Sequence, residues 1–263
     1  MPFTVSHALA VLPLATGRPG RRLVPAALVI GSMVPDLPYF VPPQRGWQWT
    51  HAASGPVTID LLLGLLLFAG WRLLLRRPLV DLAPGWLAGR VHPPGQLHLP
   101  YWGWAAVSVV LGSITHVVWD TFTHRDRWGT NHIDVLGDPL GPLPLFKWFQ
   151  FGSGLVGLLG LGLWAGLWLR HQDVRPARRT WSRWMRRLSW VLVVGTFLGA
   201  VMVVWLPALA DGRGLDESVA FRVATRSMAA AVAAAVLVCL FWQLISPKEP
   251  SASSASPNVP AAG

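Results

Sequence analysis

The chain has a single cysteine, Cys239, set in an apolar run, so it can form neither an intrachain disulfide nor a cysteine-based zinc site. Cys239 reads as a buried small hydrophobe. Charge is scarce as well: 13% of the 263 residues are Asp, Glu, Lys or Arg, against 52% hydrophobic. That balance favours a bilayer over water as the surrounding solvent. Tyrosine is nearly absent, with two residues against sixteen tryptophans, and indoles collect where hydrocarbon meets headgroups. The opening stretch, MPFTVSHALAVLPLATG, lacks the basic segment that precedes the apolar core of a cleavable signal peptide, so it is expected to stay in the mature protein. No internal repeat is present.

What the chain does have is long uncharged runs. About 20 apolar residues cross the hydrocarbon of a bilayer, and Phe151–Leu169, Leu188–Ala210 and Ser227–Pro247 meet that length. Leu99–Trp119 nearly does, and Val57–Leu75 does apart from Asp60 and a terminal Arg72 able to snorkel. The expected fold is therefore an all-α polytopic bundle of about five transmembrane helices. A shorter apolar piece, Leu23–Pro35, is interrupted by proline and predicts a short interfacial or re-entrant helix. The glycines at 152, 154, 157, 160, 162 and 166 predict a helix packed closely on a neighbour. The tail 248–263, rich in Ser, Pro and Ala, is expected to be disordered. This divides the chain into a membrane domain 1–170, a basic loop 171–187, two further helices in 188–247, and the tail.

The net charge of +10 comes from short arginine clusters between apolar runs, which fit topology signals and lipid headgroups and give no reason to expect nucleic acid. Residues 170–187 carry seven arginines against Asp173, while 211–217 carries Asp211, Asp216 and Glu217 against Arg213. The positive-inside rule then makes 170–187 cytoplasmic and 211–217 external. Counting spans backward places 76–98 inside and both 1–56 and 122–150 outside. Arg18, Arg21, Arg22 and Arg45 resist that count; a crossing by 23–35 would move Arg18, Arg21 and Arg22 inside, and His7 as well.

Titratable residues gather at the ends of the early spans. In ITHVVWDTFTHRDRWGTNHID, His116, Asp120 and His124 follow one another at intervals of four and share one helix face. At about 1.5 Å per residue His116 and His124 stand about 12 Å apart in an unbroken helix, too far to hold one ion together. One ion would take His116 and Asp120, leaving His124 for a second ion or for a position beyond the helix end. Imidazole and carboxylate suit zinc, manganese or iron. Further ligands must come from elsewhere, and His7, Asp36 and His51 are the candidates. The structural alternatives are a His–Asp hydrogen bond for His116 and Asp120, a turn cap for Asp36 between Pro35 and Pro38, and interfacial anchoring for His7. Asp60 reads either as a partner for a histidine N–H or as a packing contact. His132, Asp134 and the pair Asp126 and Arg127 read as solvated loop groups. His92, His98 and His171 read as loop residues too, with Asp138 in a turn.

MPFTVSHALAVLPL, GSMVPDLPYF, Thr50-His51, GSITHVVWDTFTHRDRWG and LPLFKWFQFGSG together resemble the domain of unknown function 4184 family, bacterial membrane proteins, over roughly residues 1–170. That family is similar in motif order to membrane-bound predicted metal-dependent hydrolases, and more distantly to zinc-dependent phospholipase C and single-strand nucleases. The resemblance implies that His7, Asp36, His51, His116 and Asp120 hold metal, with His124 next in line. Ala52 stands where the family usually has Ser. The last two helices lie outside the resemblance.

The reading is a membrane-bound metal-dependent hydrolase of the bacterial cytoplasmic membrane with a site near the extracytoplasmic interface. There, hydroxide from metal-bound water would attack a phosphoester or lipid-like ester. The metal is zinc, or manganese or iron in its place. The alternative is a non-catalytic membrane protein that binds or transports a divalent cation, or a scaffold. A transporter would place ionisable groups near the midplane of several spans, often in repeated halves, and this chain does neither. Membrane lipids are the expected surroundings, and oligomeric state is left open.

Overall fold

The computed structural model describes residues 4–15, 22–41, 43, 45–91, 98–176, 179–214 and 216–246. The tail 248–263, Arg18, Arg21, His92 and Arg178 lie outside the described residues. In chain order the helices are α1 (Ala8–Ala15), α2 (Pro25–Gly31), α3 (Leu37–Phe40), α4 (Trp47–Thr50), α5 (Ile59–Gly70), α6 (Arg76–Leu82), α7 (Gly85–Ala88), α8 (Leu99–Thr123), α9 (Trp128–His132), α10 (Leu145–Arg170), α11 (Arg183–Ala210) and α12 (Glu217–Ile245). A two-stranded antiparallel hairpin, β1 (Pro139–Leu140) and β2 (Leu143–Pro144), precedes α10.

The protein is an all-α membrane bundle. Four helical stretches are long and apolar enough to cross a membrane: Leu99–His132, Leu145–Arg170, Arg183–Ala210 and Glu217–Ile245. Helix is the form these runs must take in lipid, because it satisfies their backbone internally. Their outer faces are apolar: Leu163, Val203 and Leu244 are 66%, 74% and 82% exposed. Burying a side chain of this kind is worth about 1.5–3 kcal/mol, so dozens left facing water would outweigh the stability of an ordinary domain. Acyl chains are the solvent this surface fits.

The fifth expected span, Val57–Leu75, is broken. α5 gives way at Gly70 to a π turn over Trp71–Leu75, and α6 then carries the chain to Leu82. Asp60, Arg72 and Arg76 leave too little uncharged length, and α5 buries only one face, through Asp60, Gly64 and Phe68, while Leu62 and Leu66 stay exposed. Phe68 is fully buried in a core with Val24, Ala27, Ala105 and Val109. That core joins α2, α5 and α8 and lies directly below the polar residues discussed next.

The segment around 23–35 does not cross. α2 has only seven residues, started by Pro25 at its first position and finished before Pro35. It lies against α8 and runs the same way, with the Val24 N–H donating to Ser108 Oγ at 2.9 Å. The contact is backbone on backbone. A Cβ on Gly31 would meet the carbonyl of Val109, and one on Gly112 would meet the carbonyl of Leu28. α1 runs along α10 in the same direction as that helix, with Ser6 against Gly157 and Leu9 against Gly160, and so opposite to α2. Of the α10 glycines, these two accept neighbours closely, while Gly152, Gly162 and Gly166 face open space. α1 and α2 therefore form a short down-and-up pair that leaves and returns to the same end of the bundle. Its turn carries Arg22 over the Trp104 ring at 5.5 Å, twelve residues or about 18 Å along α8 from His116. His7, stacked on His116, and Arg22 thus lie far apart along α8.

The basic segment lies at the far end. The Arg175 N–H donates to the Gly89 carbonyl at 2.8 Å, and Arg90 Nε donates to the Leu169 carbonyl at 3.0 Å. Asp81, buried, accepts from the N–H groups of Thr180 and Trp181 and from Trp242 Nε1 at 3.0, 3.1 and 2.7 Å. This latch ties α6 to the start of α11 and the end of α12.

Candidate metal centre

Four chain segments deliver the polar residues to the end of the bundle opposite that latch. A 3-10 turn over Thr4–His7 presents His7. A second, Val34–Asp36, presents Asp36, held between prolines. His51 follows α4, and α8 supplies His116 and Asp120 from consecutive turns of one face. His124 ends α8 with extended backbone.

The structure brings together the candidates named from the sequence. Asp36, His51, His116 and Asp120 are all buried, and one donor atom from each lies within 4.8 Å of the others. His51 Nε2 is 3.7 Å from Asp36 Oδ1 and 3.4 Å from Asp120 Oδ2. His116 Nε2 is 3.5 Å from Asp36 Oδ1 and 3.4 Å from Asp120 Oδ2. The second oxygen of Asp120, Oδ1, is 3.7 Å from His7 Nε2 and 3.5 Å from His124 Nδ1. Asp120 is thus the shared member of two donor sets.

These spacings bear on the two readings of the His–Asp pair. A charge-assisted N–H···O bond is about 2.7–2.9 Å long, well short of every separation above. Two donors each about 2.1 Å from a tetrahedral ion lie about 3.4 Å apart. Consistent with the second case, Asp36 Oδ1, His51 Nε2, His116 Nε2 and Asp120 Oδ1 are buried with no hydrogen-bond partner among the described residues. Buried polar atoms are rarely left so; three of these, Asp36 Oδ1, His51 Nε2 and His116 Nε2, meet Asp120 in a group that could hold a metal ion, while Asp120 Oδ1 faces His7 and His124.

The supporting contacts fix which atoms face inward. His116 Nδ1–H donates to the Ser32 carbonyl at 2.8 Å, which leaves Nε2 with its lone pair toward the cluster. His51 Nδ1 does the same toward the Trp47 carbonyl at 3.1 Å. Partners of this kind hold a ligating imidazole in the required tautomer. Thr4 Oγ1 donates to Asp36 Oδ2 at 2.7 Å, so the carboxylate is oriented by a distant hydroxyl and makes no side-chain cap. Burial alone would raise the Asp36 carboxyl, but the adjacent His116 and the Thr4 hydroxyl outweigh it and hold the group below its ordinary value. Burial, and then the stacked His116 ring at 3.9 Å, push the His7 imidazole down to about 4. His7 is therefore neutral near pH 7.

Other residues fall elsewhere. Asp60 accepts from Ser113 Oγ at 2.6 Å and serves no histidine. His98 Nδ1 accepts from the Tyr101 N–H at the start of α8. His132 stacks on Trp128, and His171 contacts the Leu167 carbonyl. Asp126 and Arg127 do not form the expected charge pair: among the described residues no ion pair joins them, and both line a cavity beside His124. Thr4, Ser32 and Gln150 were not singled out from the sequence. Gln150 had a signal, since it lies in LPLFKWFQFGSG, and its side-chain amide meets His124 Nε2 at 2.6 Å.

The sequence model of a family described as a domain of unknown function (DUF4184) matches residues 1–245. The match runs through α11 and α12, so the resemblance extends well beyond residue 170. No curated protein and no solved structure matches the chain.

Proposed function

We propose that this chain, which belongs to the DUF4184 family, is a membrane-embedded metal-dependent hydrolase of phosphoesters or lipid-like esters. The observation that carries the reading is the convergence of four buried side chains, Asp36, His51, His116 and Asp120, with one donor atom of each within 4.8 Å of the others, where Asp36 Oδ1, His51 Nε2 and His116 Nε2 have no hydrogen-bond partner among the described residues. In this account those four hold the first divalent ion, zinc or in its place manganese or iron. His7 and His124 flank the other oxygen of Asp120 and, with it, would hold a second ion. When bound, such an ion supplies Lewis acidity, which makes water a competent nucleophile near neutral pH and stabilises charge on an ester oxygen.

The protein's own groups do the rest. Ser32 and Trp47 fix the histidine tautomers through their carbonyls, and Thr4 steers Asp36. Gln150 orients His124 at the wall of the adjoining cavity. The basic segment 170–187 lies at the opposite end of the bundle, and arginines favour the cytoplasmic side. The site accordingly faces the extracytoplasmic interface of the bacterial membrane, with lipid as its surroundings.

A cation-binding scaffold is the second reading, but it would need no cavity beside the centre. Turnover separates the two. Purified protein offered a chromogenic phosphodiester and short-chain glycerophospholipids should hydrolyse at least one of them. That activity should vanish on chelation, return with added zinc, manganese or iron, and be missing in Asp120→Ala. A protein that binds metal yet turns over none of these substrates is the scaffold.

A further inference from the structure

A cavity of about 370 Å³ adjoins the centre on the His124 side. Its wall includes Arg125, Arg127 and Lys147 against one acid, Asp126. Lys147 is already engaged by Glu217 at 2.7 Å. Among the described residues neither arginine has a carboxylate within ion-pair distance. Each guanidinium instead lies over an aromatic ring, Arg127 at 5.0 Å from Trp47 and Arg125 at 6.0 Å from Phe146.

Arg127 is half-buried in the wall and Arg125 is exposed at it. Asp126 has φ 59°, a left-handed conformation uncommon for a residue with a side chain, and it turns the chain between them. Thr130 closes the turn: its hydroxyl donates to the His124 carbonyl at 2.8 Å and accepts from the Arg127 N–H at 3.1 Å. A strained residue held by surrounding bonds marks a segment whose shape is used. Gln150 and His124, joined at 2.6 Å, form the wall shared with the centre.

We infer that Arg125 and Arg127 anchor the phosphate group of the ligand this cavity takes, with its oxyanion directed toward the centre through His124. The inference rests on the hydrolase reading and narrows its substrate to phosphate-bearing anions. Planar guanidinium groups match a phosphate's paired oxygens, and the uncompensated positive charge disfavours a cationic or neutral ligand. Trp47, Trp128 and Trp148, 39%, 60% and 44% exposed at this end, set the mouth at headgroup depth. The phosphate is therefore that of a lipid headgroup or of a free ester, and the experiment tells them apart.

The test uses the full chain in detergent, both chelated and metal-loaded, titrated with inorganic phosphate by calorimetry. It is repeated with phosphatidylcholine vesicles with and without phosphatidic acid. The variants are Arg127→Lys, the double change Arg125→Gln with Arg127→Gln, and Arg183→Gln at the far end as a control. The double variant should bind phosphate at least about ten-fold more weakly in both metal states, with metal content unchanged and Arg183→Gln behaving as wild type. Arg127→Lys should fall between, and it carries the test if the double variant fails to fold. Arginine-dependent binding of free phosphate identifies a soluble ester, and arginine-dependent binding of acidic vesicles alone identifies a lipid. Wild-type affinity in every arginine variant, in both metal states, overturns the inference. Failure of the hydrolase reading looks different: no metal is bound, while the arginine dependence persists.

Discussion

The Nδ1–H of His116 donates to the backbone carbonyl of Ser32 at 2.8 Å, across 84 residues of sequence. This bond joins the two helices whose glycines touch, and it aims His116 Nε2 at Asp36 and Asp120. The bond exists only because Gly31 and Gly112 let α2 lie against the backbone of α8.

Gly112→Ala should therefore damage the centre without touching it. The new methyl would meet the Leu28 carbonyl and the Ser32 N–H, and overpacking of this kind costs about 1–3 kcal/mol. Pushing Ser32 away also frees the His116 tautomer, which should weaken metal affinity about 10–100-fold. Chelator competition together with thermal melting checks both effects. Gly162→Ala on α10, with open space around it, should change neither.

Acid should destabilise the metal-free protein through His7. Its folded value of about 4 lies below the ordinary 6.5, so between these pH values the unfolded chain binds the proton and the folded one does not. Stability is then complete above pH 6.5 and declines as pH falls toward 4. Melting temperatures of chelated protein across that window should show the loss, and His7→Gln should flatten it.

Stability and metal binding should separate at Asp81. Its carboxylate accepts two backbone N–H groups and Trp242 Nε1 far from the centre, and hydrogen bonds to charged groups are worth about 1.5–3 kcal/mol each. Asp81→Asn should lower the melting temperature by several degrees yet leave metal content at the wild-type level. A loss of metal in this variant would mean that α11 and α12 support the centre directly.

Much of this architecture was legible in the sequence, and the parts that were not share a physical reason. The uncharged runs gave α8, α10, α11 and α12 because length and hydropathy alone decide a span. The interval of four between His116 and Asp120 gave their common face because a helix turn is a local property. The fifth span was misjudged because Arg72 and Arg76 interrupt it. Thr4 on Asp36, the Gly31 and Gly112 contact, and the unpaired Arg125 and Arg127 are tertiary relationships between ordinary residues, which no local spacing marks. Asp126 and Arg127, adjacent in sequence, suggested a pair that the left-handed turn between them prevents.

The two oxygens of Asp120 predict a stoichiometry. Oδ2 faces His51 and His116, and Oδ1 faces His7 and His124. His124→Ala should lose one ion of two and keep the other, whereas Asp120→Ala should lose both. Equal losses in the two variants would refute the bridging role.

Metal content of detergent-purified protein, measured for wild type beside His116→Ala and Asp120→Ala, tests the central claim most directly. The account predicts tightly held zinc, manganese or iron in the wild type, none above background in Asp120→Ala, and loss of one ion of the two in His116→Ala, even though both variants remain folded. Equal metal in all three proteins, or none in a folded wild type offered all three ions, would contradict it.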